Sequence, residues 1–129
     1  METNLRKIKV ILVKNKAQIA DECSVAESFW SRFMGLMGVR ILNPGSGLLL
    51  SPCSSIHMLF MNIPIDVVFL SERVIRDGAV FYRISSLKEN LRPWGLLPVG
   101  DWKAVDTLEL PIGTIQKCDM KIGDEVCLS

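Results

Sequence analysis

Three side chains in the segment Cys53 to Asp66 have the types that chemistry needs: Cys53, His57 and Asp66. His57 is the single histidine of the chain, so any imidazole chemistry must be its own. A thiol, an imidazole and a carboxylate can form a nucleophile site in which the imidazole takes the thiol proton and the carboxylate fixes its tautomer. The same three groups can ligate a metal through sulfur, nitrogen and oxygen. A third possibility is non-covalent, with His57 and Asp66 lining a ligand pocket. The bland alternative is structural. Asp66 interrupts the apolar run Ile65-Asp66-Val67-Val68-Phe69, and a buried carboxylate needs partners. Arg32, His57 or backbone N–H groups could supply them, and such a pair can serve only to fix a helix on a sheet.

Geometry limits the first two options. On a straight strand, four residues span about 13 Å, so Cys53 and His57 share a face without touching. Contact requires a bend at Ser54-Ser55, which two small polar residues after Pro52 permit. Asp66 follows Asn62-Ile63-Pro64, where Pro64 breaks a continuous strand and allows a return beside His57. Methionines 34, 37, 58 and 61 suit a soft ion, yet their spacing fits ordinary core filling better.

The elements that must position these groups are mostly strands. Ile8 to Val13 is a β-branched run, and Gln18 to Cys23 can pair back on it across Lys14-Asn15-Lys16. Ser24-Val25-Ala26-Glu27 has the pattern of a capping box, and apolar residues at 25, 26, 29, 30, 33, 36 and 37 follow with helical spacing. One amphipathic helix is therefore expected over about 24–37, stopped by Gly35 and Gly38. Short strands are expected at 48–50, 56–61, 65–70, 74–75, 79–84, 105–110, 114–117 and 125–128, with turn residues between them. The expected fold class is mainly β: one compact β-sandwich or barrel-like domain, 1–129, of short antiparallel strands with one helix. Residues 85–103 fit neither period, carry Trp94 and Trp102, and are expected to be a surface arm or a binding loop.

Composition narrows the function classes. Hydrophobic residues make up 49% of the 129 and charged residues 22%, which is a folded rather than a disordered profile. Fifteen basic against fourteen acidic residues leave a net charge of +1, so nothing draws the chain generally to nucleic acid or anionic lipid. The longest N-terminal apolar run, Val10-Ile11-Leu12-Val13, is too short for a signal core, and no run approaches a membrane span. A cytoplasmic location with reduced thiols is the expectation, with Cys23, Cys118 and Cys127 as small core residues. Neither a nucleotide loop, a dinucleotide fingerprint nor a zincin motif occurs, so no cofactor is expected.

Five blocks, in order, carry a family resemblance. They are Arg32-Phe33-Met34-Gly35-Leu36-Met37-Gly38, then Gly47-Leu48-Leu49, then Pro52-Cys53-x-x-Ile56-His57-x-x-x-Met61 with Pro64-Ile65-Asp66-Val67-Val68-Phe69-Leu70. Leu108-Glu109-Leu110-Pro111-x-Gly113 and Ile122-Gly123-Asp124-x-Val126 close the series. Together they resemble the domain of unknown function 192 family (uncharacterised protein family 0127). The resemblance implies a compact, mainly β fold with one helix, and it brings no reaction with it. Relatives often have Thr directly after the histidine, where this chain has Met58. The leading expectation is a non-enzymatic module that binds a small molecule or a protein partner. Its pocket would lie near His57 and Asp66, with Arg32, Met61, Trp94 and Trp102 as further ligand contacts. A small Cys-His-Asp thiol enzyme using Cys53, or a Cys/His metal site, is the alternative.

Overall fold

The computed structural model describes residues 5–36, 39, 41–58, 61–95 and 97–129, with only the backbone of Phe29 and Trp30. The elements in chain order are β1 (Arg6–Leu12), β2 (Ala17–Ala26), α1 (Phe29–Met34), β3 (Ser46–Leu50), β4 (Ser55–Ile56), β5 (Ile65–Arg76) and β6 (Ala79–Leu91). β7 (Val99–Gly100), β8 (Asp106–Pro111), α2 (Thr114–Cys118) and β9 (Glu125–Leu128) follow. Seven strands close a barrel in the order β1-β2-β3-β8-β5-β6-β9, and β4 pairs with β7 in a small separate sheet. The mainly β, barrel-like fold expected from the strand pattern is what forms.

Several local expectations give way to tertiary pairing. Ser24 to Ala26 do not open a helix: they continue β2, where Ser24 and Val25 pair with β1 and Ala26 pairs with Leu50. Two ladders outweigh one local cap. The helix starts later, capped by Ser28, whose hydroxyl accepts the Ser31 N–H while the Ser31 hydroxyl accepts the Ser28 N–H. It ends at Gly35, where φ is 47°, and residue 37 of the expected span lies outside the described set, as does the expected stop at 38. Not all pairs are antiparallel. β2 and β3 run parallel, which the crossover through α1 makes possible. The strands are not all short either: Val74 and Ile75 extend β5 past an irregularity near Glu72, and β6 runs on to Leu91. Residues 85–91 and 99–100 of the expected 85–103 loop are therefore strand.

The expected strand at 114–117 is the helix α2. Ile115 and Cys118, three residues apart, both turn inward, and the Thr114 hydroxyl donates to the Pro111 carbonyl. Between residues 56 and 61 only the first pairs as a strand, and residues 59 and 60 lie outside the described set.

Period-two alternation sorts the core into two layers. Val10, Val25, Leu49, Val68, Leu70 and Leu108 point into the barrel. Leu48, Leu50, Ile65, Val67 and Phe69 point outward from β3 and β5, yet they are equally buried. What covers them is an outer layer that includes Leu36, Ile56, Met58, Met61 and Ala104. Each large side chain so covered contributes about 1.5–3 kcal/mol. Gly100 marks how close this layer lies. A Cβ there would stand 2.9 Å from the Ser54 carbonyl oxygen, nearer than real contacts allow.

Inside the barrel the Tyr82 hydroxyl donates to the buried Asp106 carboxylate. Burial, and then this carboxylate, raise the phenol above its ordinary value, with Arg73 opposing. Tyr82→Phe leaves Asp106 without that donor. The expected loss is about 1.5–3 kcal/mol of stability, readable as a lower urea midpoint with an unchanged slope.

Candidate functional site

A cavity of about 600 Å³ opens between the outer layer and the barrel wall. Phe33, Met34, Leu36, Leu50, Ile56 and Met61 supply apolar walls, and Arg32, Cys53, Ser55, His57 and Glu109 supply the polar groups. That size and this mixture suit a small ligand.

Glu109 is the unusual member. It sits on the outer face of β8, a central strand paired to Leu48 on one side and Val67 on the other. Only 5% of its surface is exposed, and Oε1 has no hydrogen-bond partner among the described residues. Desolvation pushes its carboxyl up from 4.5 to about 7. Gly35, just past α1, lies over it: a Cβ at that position would come 4.0 Å from Oε1, and the positive φ there suits glycine.

Arg32, in the last turn of α1, reaches the same cavity. Its Nη1 donates to the Pro52 carbonyl at 3.1 Å, whereas the buried Nε has no partner among the described residues. No ion pair within 4.0 Å neutralises it among those residues.

The segment carrying Cys53 and His57 is bent, as contact between them requires. Its backbone is fastened to the start of β8: the Cys53 N–H donates to Val105 at 2.9 Å, and the Cys53 carbonyl accepts from the Thr107 hydroxyl at 2.8 Å. Both side chains line the cavity, with His57 exposed. The thiol donates to the Ser55 carbonyl at 3.2 Å rather than to the imidazole.

Asp66 is elsewhere. It pairs across the ladder with Leu110, an inward residue, so its side chain faces the barrel interior while the cavity lies outside the wall. Its two oxygens accept the N–H groups of Asn90 at 2.9 Å and Ile115 at 3.0 Å. After Pro64 the chain enters β5, and strand phase there turns Asp66 into the barrel, away from the cavity that His57 lines. Among the described residues no three His, Cys, Asp or Glu side chains gather to hold a metal ion.

The remaining expected contacts divide. Arg32 and Met61 line the cavity, and Trp94 and Trp102 do not. Trp94 is held by its backbone N–H, which donates to Met58 at 2.7 Å, and Trp102 is 89% exposed. The stretch after β6 is tied down rather than free, since Asp101 accepts from the Ser86 hydroxyl and its N–H donates to the Ser54 carbonyl. Sequence reasoning passed over Glu109. No local signal marked it, because Thr107 and Glu109 alternate with Leu108 and Leu110 as the solvent face of a half-buried strand would.

Comparison with known proteins follows the fold. A UPF0127 protein of Thermococcus sibiricus (strain DSM 12597 / MM 739) is 32% identical over 124 residues, covering 91% of this chain and 73% of that protein. A crystal structure of a proposed transcription regulator from Sinorhizobium meliloti 1021 superposes with a TM-score of 0.78 at 22% identity, covering 98% of this chain and 96% of the other. A protein of unknown function from Novosphingobium aromaticivorans DSM 12444 gives 0.75 at 20% identity, covering 95% and 84%. At those identities the two structures share the fold and nothing more is carried over from them. The model of the family described as DUF192, Uncharacterized ACR, matches residues 10–128. With that match spanning nearly the whole chain, beside the Thermococcus sibiricus relative, this protein belongs to the DUF192 (UPF0127) family.

Proposed function

We infer that this chain is a non-enzymatic module that binds a small molecule in the cavity between α1 and β8. The observation that carries this reading is Glu109. A buried carboxyl with an unpartnered oxygen costs stability wherever it stands, and here it belongs to a residue that lines a ready-made pocket. Arg32, with its own unpartnered nitrogen in the same cavity, supports the same reading. Binding is favoured over thiol catalysis because the Cys53 proton is directed to a backbone carbonyl and Asp66 is spent on backbone donors. No helix among the described residues is long and apolar enough to cross a membrane, and a cytoplasmic location remains part of this reading.

A fragment screen by amide NMR tests it. Hits are expected to move the resonances of Leu50, Ile56 and Ala104 together. Cys53→Ala is expected to change their Kd by less than about threefold, since a thiol contributes only a small contact. A library that moves none of these amides, or binding lost with the thiol in a folded variant, would remove this reading.

A further inference from the structure

Taking the cavity as a ligand site, we propose that its ligand is a small amphiphilic monocarboxylate, held by its carboxylate between Arg32 and the Glu109 carboxyl with its apolar body against Leu36, Leu50 and Ile56. The inference rests on the binding reading above and adds the chemical class. Two buried polar atoms of residues that line the cavity lack partners among the described residues, Arg32 Nε and Glu109 Oε1. The first can only donate. An arginine fork is matched by a planar group with two acceptor oxygens, which is a carboxylate. The second belongs to a carboxyl that desolvation keeps largely protonated up to about pH 7, so it can donate its O–H to the other ligand oxygen. Two carboxyl groups then share one proton, as closely spaced acids do.

Other head groups fit less well. An ammonium would meet the Arg32 cation. A phosphate dianion would oppose any ionised Glu109 and be poorly solvated by the apolar walls. The charged or titratable groups that face Glu109 among the described residues are few. Arg32 comes from α1, and Cys53 and His57 come from the segment around β4. β3 and β5 present Leu48, Leu50, Val67 and Phe69, and the approach to β8 presents Ala104 and Val105. No second acid among the described residues lines the cavity to take over the proton. Binding the carboxylate therefore retains the Glu109 proton, and affinity falls as pH rises through about 7.

Three six-carbon probes decide the class: hexanoate, its isostere hexanamide, and hexylammonium, each titrated into the full chain and followed by amide NMR at pH 6 and pH 8. Hexanoate is expected to bind most tightly at pH 6 and to weaken about tenfold by pH 8, the loss of proton occupancy across a midpoint of about 7. Glu109→Gln is expected to abolish that pH dependence. Arg32→Gln is expected to weaken hexanoate about tenfold or more while moving hexanamide far less. If hexanamide or hexylammonium binds as tightly as hexanoate at pH 6, the carboxylate class is wrong and the cavity reading survives. A pH slope that persists in Glu109→Gln also overturns the proposal. If none of the probes moves the cavity amides, both readings fall.

Discussion

Replacing Glu109 with methionine is expected to raise stability at pH 8 by roughly 2–3 kcal/mol and to flatten its dependence on pH. The carboxyl moves from 4.5 in its ordinary setting to about 7 in the fold. Below 4.5 it is protonated whether the chain is folded or not, and its ionisation makes no difference to stability. Between 4.5 and about 7 the folded chain holds a proton that the unfolded chain has released, so stability declines as pH rises. Above about 7 the full penalty is present, on the order of 3 kcal/mol for that interval. The direction is opposite to that of a salt-bridged acid. Methionine has similar length and no charge, and it can fill the space beside Leu50 without a desolvation cost. Urea unfolding at pH 5 and pH 8 measures the effect, because every other titrating group is common to the two proteins and cancels in the difference. An equal pH slope in wild type and Glu109→Met would show that the acid is not buried unpaired.

Asp66→Ala is expected to destabilise the chain by about 3–5 kcal/mol, enough to lower Tm by roughly 10–20 °C. The carboxylate is 1% exposed and holds two backbone donors. One belongs to Asn90, where φ is 54° and β6 departs from regular pairing with β5. The other belongs to Ile115 in α2, whose side chain joins the barrel core. Truncation leaves both N–H groups without an acceptor and opens a void beside them. Thermal unfolding tests this directly. An Asp66 that served chiefly to orient His57 would instead change chemistry at the cavity with little change in Tm, and a loss below about 1 kcal/mol would contradict the framing role.

The strand pattern was legible because alternation and turn residues are local signals. The strands expected at 8–13, 65–70 and 125–128 form as β1, which ends at Leu12, as the first half of β5, and as β9. The errors arose where a tertiary partner outweighed a local preference. Ser24 to Ala26 had a cap sequence but two neighbouring strands, and Thr114 to Cys118 had a β-like composition but a buried carboxylate waiting for an N–H. The site was half legible. Arg32, Cys53, His57 and Met61 do share a cavity, because each lies on the outer layer or faces it. Asp66 does not join them because strand phase is a parity, and one residue decides which side of the wall a group takes. Glu109 could not be found from spacing. Its burial depends on α1 and the β4 segment folding over a strand distant in sequence, and no short-range pattern records a covering layer.

A titration of the Glu109 side-chain carboxyl by ¹³C NMR, assigned through Glu109→Gln, examines the central claim most directly. A midpoint near pH 7, moving higher when hexanoate is added, is the expected result. A midpoint near the ordinary value of 4.5, unmoved by hexanoate, would mean that the acid is solvated and that the cavity holds no carboxylate against it.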